Sequence, residues 1–210
     1  MKEFMLASVS PTRAFQAVRD RKGGWIWPLV VTMALMLLAV WLMEPGFRAI
    51  KEEAWKAASS QGATREQFEL IFSLQRYLIP TLGVIIAIFF GGLILMLVNW
   101  VVRGEAKYMQ LVKVYLYSYL PVVIGQLLVG ILVRATGADD VREMMLNGAA
   151  LLDESAGFLR RIAALADPFY IWSLVVGVFG AAVMMRRPPA RIAMWLVIVW
   201  VLLTLAGLNG

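Results

Sequence analysis

The sequence predicts an all-α fold: a polytopic membrane helical bundle with five transmembrane helices, plus amphipathic helices in two external loops and at the N-terminus. Three observations predict it. Of the 210 residues, 61% are hydrophobic and only 16% are charged, where a soluble domain carries about a quarter charged residues. The mean hydropathy is +0.75. The apolar residues also come in blocks close to the roughly 20 residues that a helix needs to cross about 30 Å of hydrocarbon.

Those blocks are Trp25–Met43, Ile79–Val102, Tyr108–Val133, Phe169–Met185 and Ile192–Leu208. They make residues 25–210 one transmembrane domain, preceded by a lead-in over residues 1–24. The last two blocks flank "RRPPAR", where Pro188 and Pro189 cannot continue a helix and fix a tight hairpin. The lead-in has no apolar stretch before a small-residue cleavage site, so no cleaved signal peptide is expected. It reads as a short amphipathic helix with Ser10 as cap, Pro11 at the first helical position, and Phe15 and Val18 on one face. With Arg13, Arg19, Arg21 and Lys22 nearby, it is expected on the membrane surface or as a solvated helix.

Charge orients the bundle. The N-terminus, the Arg103–Lys113 region and Arg186–Arg191 together hold 11 Lys/Arg against three acids, a net charge of +8, and the rest of the chain carries −2. The positive-inside rule then puts the N-terminus in the cytoplasm and the C-terminus outside, as in a bacterial inner membrane. The basic pI of about 9.8 follows from this topology, so anionic headgroups are the expected partner and nucleic acid is not. Trp25, Trp27, Trp41, Trp100, Trp172 and Trp195 lie near span ends, as an aromatic belt requires.

The two external loops, residues 44–78 and 134–168, are both 35 residues long and both lead to a proline, Pro80 and Pro168. Each contains helix-like sequence. In the second, Leu151, Leu152, Phe158, Leu159, Ile162 and Leu165 form one apolar side. Span–loop–span thus occurs twice in one orientation, either as a parallel pseudo-repeat or by coincidence.

Chemistry is sparse. The chain has no cysteine and no histidine. That excludes disulfides, thiolate nucleophiles, Cys/His zinc sites and imidazole bases. No Asp or Glu lies inside a span, which counts against proton coupling. There is no phosphate-binding glycine loop. The pairs Asp139–Asp140 and Asp153–Glu154 read as solvated or capping acids before they read as a weak cation site. Gly177, Gly180 and Ala181 give the fourth span a small-residue side suited to close packing within the bundle. No catalytic residue, metal site or cofactor is expected.

The most polar span start is "GEAKYMQLVKVYLYSYLP". Lys107 and Lys113 lie near the cytoplasmic edge, within reach of headgroups by snorkelling. Tyr108, Tyr115 and Tyr119 form one stripe, and Tyr117 faces elsewhere. The stripe is either an interfacial anchor or a docking surface for a partner or lipid headgroup. Pro121 should kink the helix and release a carbonyl around Tyr117, with Ser118 or a tyrosine hydroxyl as its candidate partner.

Read together, "SPTRAFQAVRDRKGGWIWPLVV", "RGEAKYMQLVKVYLYSYLP" and "DPFYIWSLVVGVFGAAVMMRRPPARIAMWLVIVW" resemble the Yip1 family of five-span membrane proteins, in its compact bacterial branch. The resemblance rests on Pro11 and Phe15, on Gly104, Lys107, Tyr117, Ser118 and Pro121, and on Asp167, Pro168, Phe169 and Trp172, in that order. It implies a non-enzymatic accessory or scaffold protein. The eukaryotic relatives are trafficking factors that associate with Rab GTPases, but this chain lacks their long polar N-terminal region, so that property is not carried over. Some bacterial relatives accompany exporters of the ABC-transporter and periplasmic-adaptor type, which implies membrane-protein partners of that kind or self-association. The alternative expectation is a transporter of a lipid or small solute.

Overall fold

The computed structural model describes residues 2–19, 24–144, 146, 148, 163 and 166–208, and among them the regular structure is helical throughout. The helices are α1 (Lys2–Val9), α2 (Pro11–Val18), α3 (Ile26–Leu42), α4 (Arg48–Ser60), α5 (Arg65–Val101), α6 (Tyr108–Ser118), α7 (Leu120–Thr136), α8 (Pro168–Met185) and α9 (Pro189–Leu208). Helices satisfy their own backbone, which lipid requires. Three stretches are long and apolar enough to cross a membrane: α5, Tyr108–Thr136 taken as one, and α8. A fourth is α3 counted with its continuation Glu44–Ser60, which bends away by 65°. The fifth expected span falls on α9, an apolar helix that begins at Pro189, where the double proline fixes the break. Large apolar side chains face outward along these helices, Trp100 at 79% exposure and Ile86 at 66% among them. An exterior of that kind suits lipid and not water.

The chain divides into two compact units, one of residues 1–29, 86–120 and 172–210, the other of residues 30–85 and 121–171.

In the first unit the lead-in departs from expectation. It forms two helices, α1 and α2, that pack on each other, and α1 packs on α6. Phe4, Ala7, Ala14 and Phe15 are fully buried, and Val18 nearly so. Phe15 and Val18 do share a face, but that face is spent inside the protein and is not offered to a membrane surface. Pro11 opens α2 as expected, while Ser10 at the cap position makes no side-chain cap bond. Its carbonyl instead accepts from the Ala14 N–H at 3.1 Å.

In the second unit, Ala39 and Met43 meet Val129 and Val133, with Phe47, Val141 and Met144 packed around them. Helix α4 makes ion pairs along its length: Arg48 to Asp139 at 3.1 Å, Lys51 to Glu69 at 2.6 Å, and Glu53 to Arg142 at 3.0 Å. The acids Asp139 and Asp140 therefore face separate arginines and do not share a cation. Among the described residues no group of three or more potential metal ligands occurs. The second acid pair, Asp153–Glu154, and the apolar side built on Leu151, Leu152, Phe158, Leu159, Ile162 and Leu165 lie outside the described residues.

The other half of the segment 44–78 corrects the expectation of a separate helix. It runs unbroken into the span, so that α5 has 37 residues with Pro80 inside. Pro80 removes one backbone donor and crowds the preceding turn. The Thr81 hydroxyl donates to the Tyr77 carbonyl at 2.7 Å, one residue past the Arg76 carbonyl that Pro80 leaves without its helical donor.

The Asp140 carboxyl is held below the usual carboxylate range, first by the Arg142 guanidinium hydrogen bonds. Because the folded-state pKa is depressed, the stabilisation is complete above about pH 3.9 and is lost only as pH falls through the lower folded value. Amide protection in α4, corrected for intrinsic exchange, is expected to hold from neutral pH down to about 4 and to fall below it. In Arg142→Gln protection should already be reduced at neutral pH.

Candidate functional site

Helix α6 is organised from its first residue. Lys107 occupies the N-cap position with extended backbone, and its N–H donates to the Gln110 side-chain oxygen at 2.8 Å. Gln110 in turn donates to the Arg19 carbonyl at 3.0 Å, tying the end of α2 to the start of α6. The Lys107 side chain stays exposed.

The tyrosine stripe is present, and its members do different things. The Tyr108 hydroxyl donates to the Phe89 carbonyl on α5 at 3.0 Å. Tyr115 lies flat over Gly91, where any Cβ would collide with its ring, and stacks with Tyr119 at 6.4 Å between centroids. Tyr117 faces away from the stripe, as its spacing requires, and is 4% exposed. Phe4 of α1 meets it edge-on at 5.2 Å and Phe15 of α2 at 5.8 Å. Phe15 in turn seats on Gly180 of α8, where only a glycine leaves room for the ring. Gly177 of the same helix faces Ser118. The small-residue side of α8 therefore takes its partners from within this chain.

Trp172 adds a further tie. Its indole N–H donates to the Ser8 carbonyl at the end of α1 at 2.8 Å. Its polar handle is thus committed to the protein and does not serve the aromatic belt alone. Lys113 also departs from expectation. It is 5% exposed and does not snorkel. One turn before Tyr117, it lies on the side of α6 that the protein covers.

The turn between α5 and α6 is clamped by Asn99. Its side-chain amide donates to the Ala106 carbonyl at 3.1 Å and accepts from the Ala106 N–H at 3.2 Å. Gly104 fits beneath, with Asn99 and Met185 too close for a Cβ. The Glu105 N–H donates to the Met185 carbonyl at 3.2 Å. Arg186 pairs with Glu105 at 2.8 Å, and the Arg187 guanidinium caps the Arg103 carbonyl. Arg103 and Arg186 both have a φ of +53°, a left-handed helix end that non-glycine residues rarely adopt. Arg103, Lys107, Arg186 and Arg191 are exposed, so this end of the unit presents a basic face.

Of the remaining expected residues, Ser118 belongs to the first unit and Pro121, Asp167, Pro168 and Phe169 to the second. Pro121 is the second residue of α7, just past a break at Tyr119. The Ser118 hydroxyl bonds the Tyr115 carbonyl at 2.9 Å and not that of Tyr117, because a serine side chain in a helix reaches back about one turn. Asp167 caps α8: one carboxylate oxygen accepts from the Phe169 and Tyr170 N–H groups at 2.8 and 3.1 Å. Pro168 takes the first helical position, where it needs no N–H. Phe169 packs on Gly125.

Phe4, Ser8, Asn99 and Gly91 are the contributors that sequence reasoning did not single out for this arrangement. The adjacent Gly91–Gly92 in an apolar span was the available signal for a close approach.

The Yip1 domain family model matches residues 6–208. That covers nearly the whole chain, so the chain belongs to this family. No curated protein and no solved structure gives a match.

Proposed function

We propose that this Yip1 domain membrane protein is a non-enzymatic accessory or scaffold of a bacterial inner membrane, with its N-terminus in the cytoplasm and its C-terminus outside. It engages membrane-protein partners, an ABC-type exporter or a second copy of itself, together with anionic lipids. One observation carries this reading: Tyr117, Trp172 and Asp167 are spent on holding the fold, while Lys107 keeps its side chain exposed. Tyr117 is enclosed by Phe4 and Phe15, Trp172 is bonded to Ser8, and Asp167 to backbone N–H groups. Lys107 belongs to an exposed basic face with Arg103, Arg186 and Arg191. That face supports attraction to anionic headgroups or to an acidic partner surface.

The transporter alternative draws no support from the small cavity lined by Val122, Gln126, Val129, Asp167 and Phe169. Its volume is about 160 Å³, below the roughly 300–1,000 Å³ of ordinary ligand sites. Purification of the tagged chain from native membranes in mild detergent, after chemical cross-linking, tests the proposal. A stoichiometric partner or an enriched anionic lipid is the expected result, and recovery of a lone monomer with bulk lipid composition would overturn it.

A further inference from the structure

The second unit carries a basic depression that the family-pattern residues do not touch. It is about 400 Å³ in volume and is lined by Glu44, Pro45, Phe47, Arg48, Lys51, Arg76 and Arg134. Four cations thus meet one carboxylate in its wall. Three of the cations have acidic partners: Arg48 has Asp139, Lys51 has Glu69, and Arg76 has Glu44 at 2.8 Å. Arg134 has none among the described residues. Its guanidinium donates to the Trp41 and Leu42 carbonyls at 2.9 and 3.2 Å and lies 4.3 Å over the Trp41 ring. The local balance is therefore one positive charge in excess.

We propose that this depression binds a phosphate group, presented by an anionic lipid headgroup or by a soluble phosphate ester. Two further observations point to an oxyanion. Arg76 is largely buried, and its Nε has no hydrogen-bond acceptor among the described residues, so its donors are not all spent. The Arg48–Asp139 pair has 72% and 65% of its side chains exposed. Such surface pairs contribute little, so Arg48 can exchange its carboxylate for a phosphate, which arginine forks recognise well. Pro45 and Phe47 give the depression an apolar wall suited to a glycerol or acyl stem. Trp41 and Leu38 on α3, both exposed, mark a change from apolar to charged surface at this level, where headgroup phosphates reside.

The site does not depend on the accessory reading, since its chemistry needs no protein partner. The full chain is purified in detergent and equilibrated with vesicles or micelles of phosphatidylglycerol or phosphatidylcholine, and retained lipid is counted by native mass spectrometry. Preferential retention of phosphatidylglycerol is expected, weakened about tenfold in Arg134→Gln by loss of one charge-assisted contact. Glu44→Gln removes a competing carboxylate and should tighten binding. If Arg134→Gln fails to fold, the exposed-side double variant Arg48→Gln/Lys51→Gln reads the same loss. Binding of glycerol 3-phosphate without lipid, abolished by the same variants, supports the site with a soluble source. Equal retention of both lipids with no glycerol 3-phosphate binding overturns it, as does retention unchanged in all the arginine and lysine variants.

Discussion

Phe15→Ala is expected to destabilise the N-terminal helices by about 3–5 kcal/mol, the usual cost of emptying a fully buried phenylalanine site. The ring is 0% exposed and fills the space between Tyr117 and Gly180. Neither neighbour can close the gap, because Gly180 has no side chain and Tyr117 is already fixed by Phe4. The loss should be local first: hydrogen exchange in residues 2–19 rises before global unfolding does. Phe15→Leu keeps most of the volume and should cost under about 1.5 kcal/mol. Unchanged protection in Phe15→Ala would mean that α1 and α2 are held by something other than this aromatic contact.

Asn99→Ala should cost about 2–6 kcal/mol, counting 1–3 for each buried backbone group left unpaired. Asn99 is 4% exposed and is bonded to both the N–H and the carbonyl of Ala106. Water has poor access to replace either bond. The turn it closes places Lys107 at the start of α6 and Glu105 against Arg186, so a slack turn also disperses the basic face. Thermal unfolding in detergent measures the effect, and a change below about 1 kcal/mol would show that the turn holds by its backbone bonds alone.

Much of this was legible in the sequence because membrane spans announce themselves by length and apolarity. The break at Pro188–Pro189, the outward-facing Trp27 and Trp100, and the opposite facing of Tyr117 all followed from composition or spacing. What was hidden has a common cause. In a lipid-facing protein an apolar side chain is equally at home against lipid or against protein, so hydrophobicity loses its power to say which. Phe15 and Val18 could therefore be read as a membrane-surface face when they are core. Lys113 misled for the complementary reason: a long cationic side chain near a span end usually reaches for headgroups, but α1 and α2 cover that side of the unit. Pro80 sits near the expected start of a span, but the helix continues through it from Arg65 to Val101.

Phe15, Tyr117 and Trp172 form a latch that holds the N-terminal helices α1 and α2 to α6 and α8. A double-mutant cycle between Phe15→Ala and Tyr117→Ala, read by unfolding in detergent, tests it most directly. Contacting side chains of a latch should couple by about 0.5–3 kcal/mol, whereas effects that add to within about 0.3–0.5 kcal/mol would contradict it.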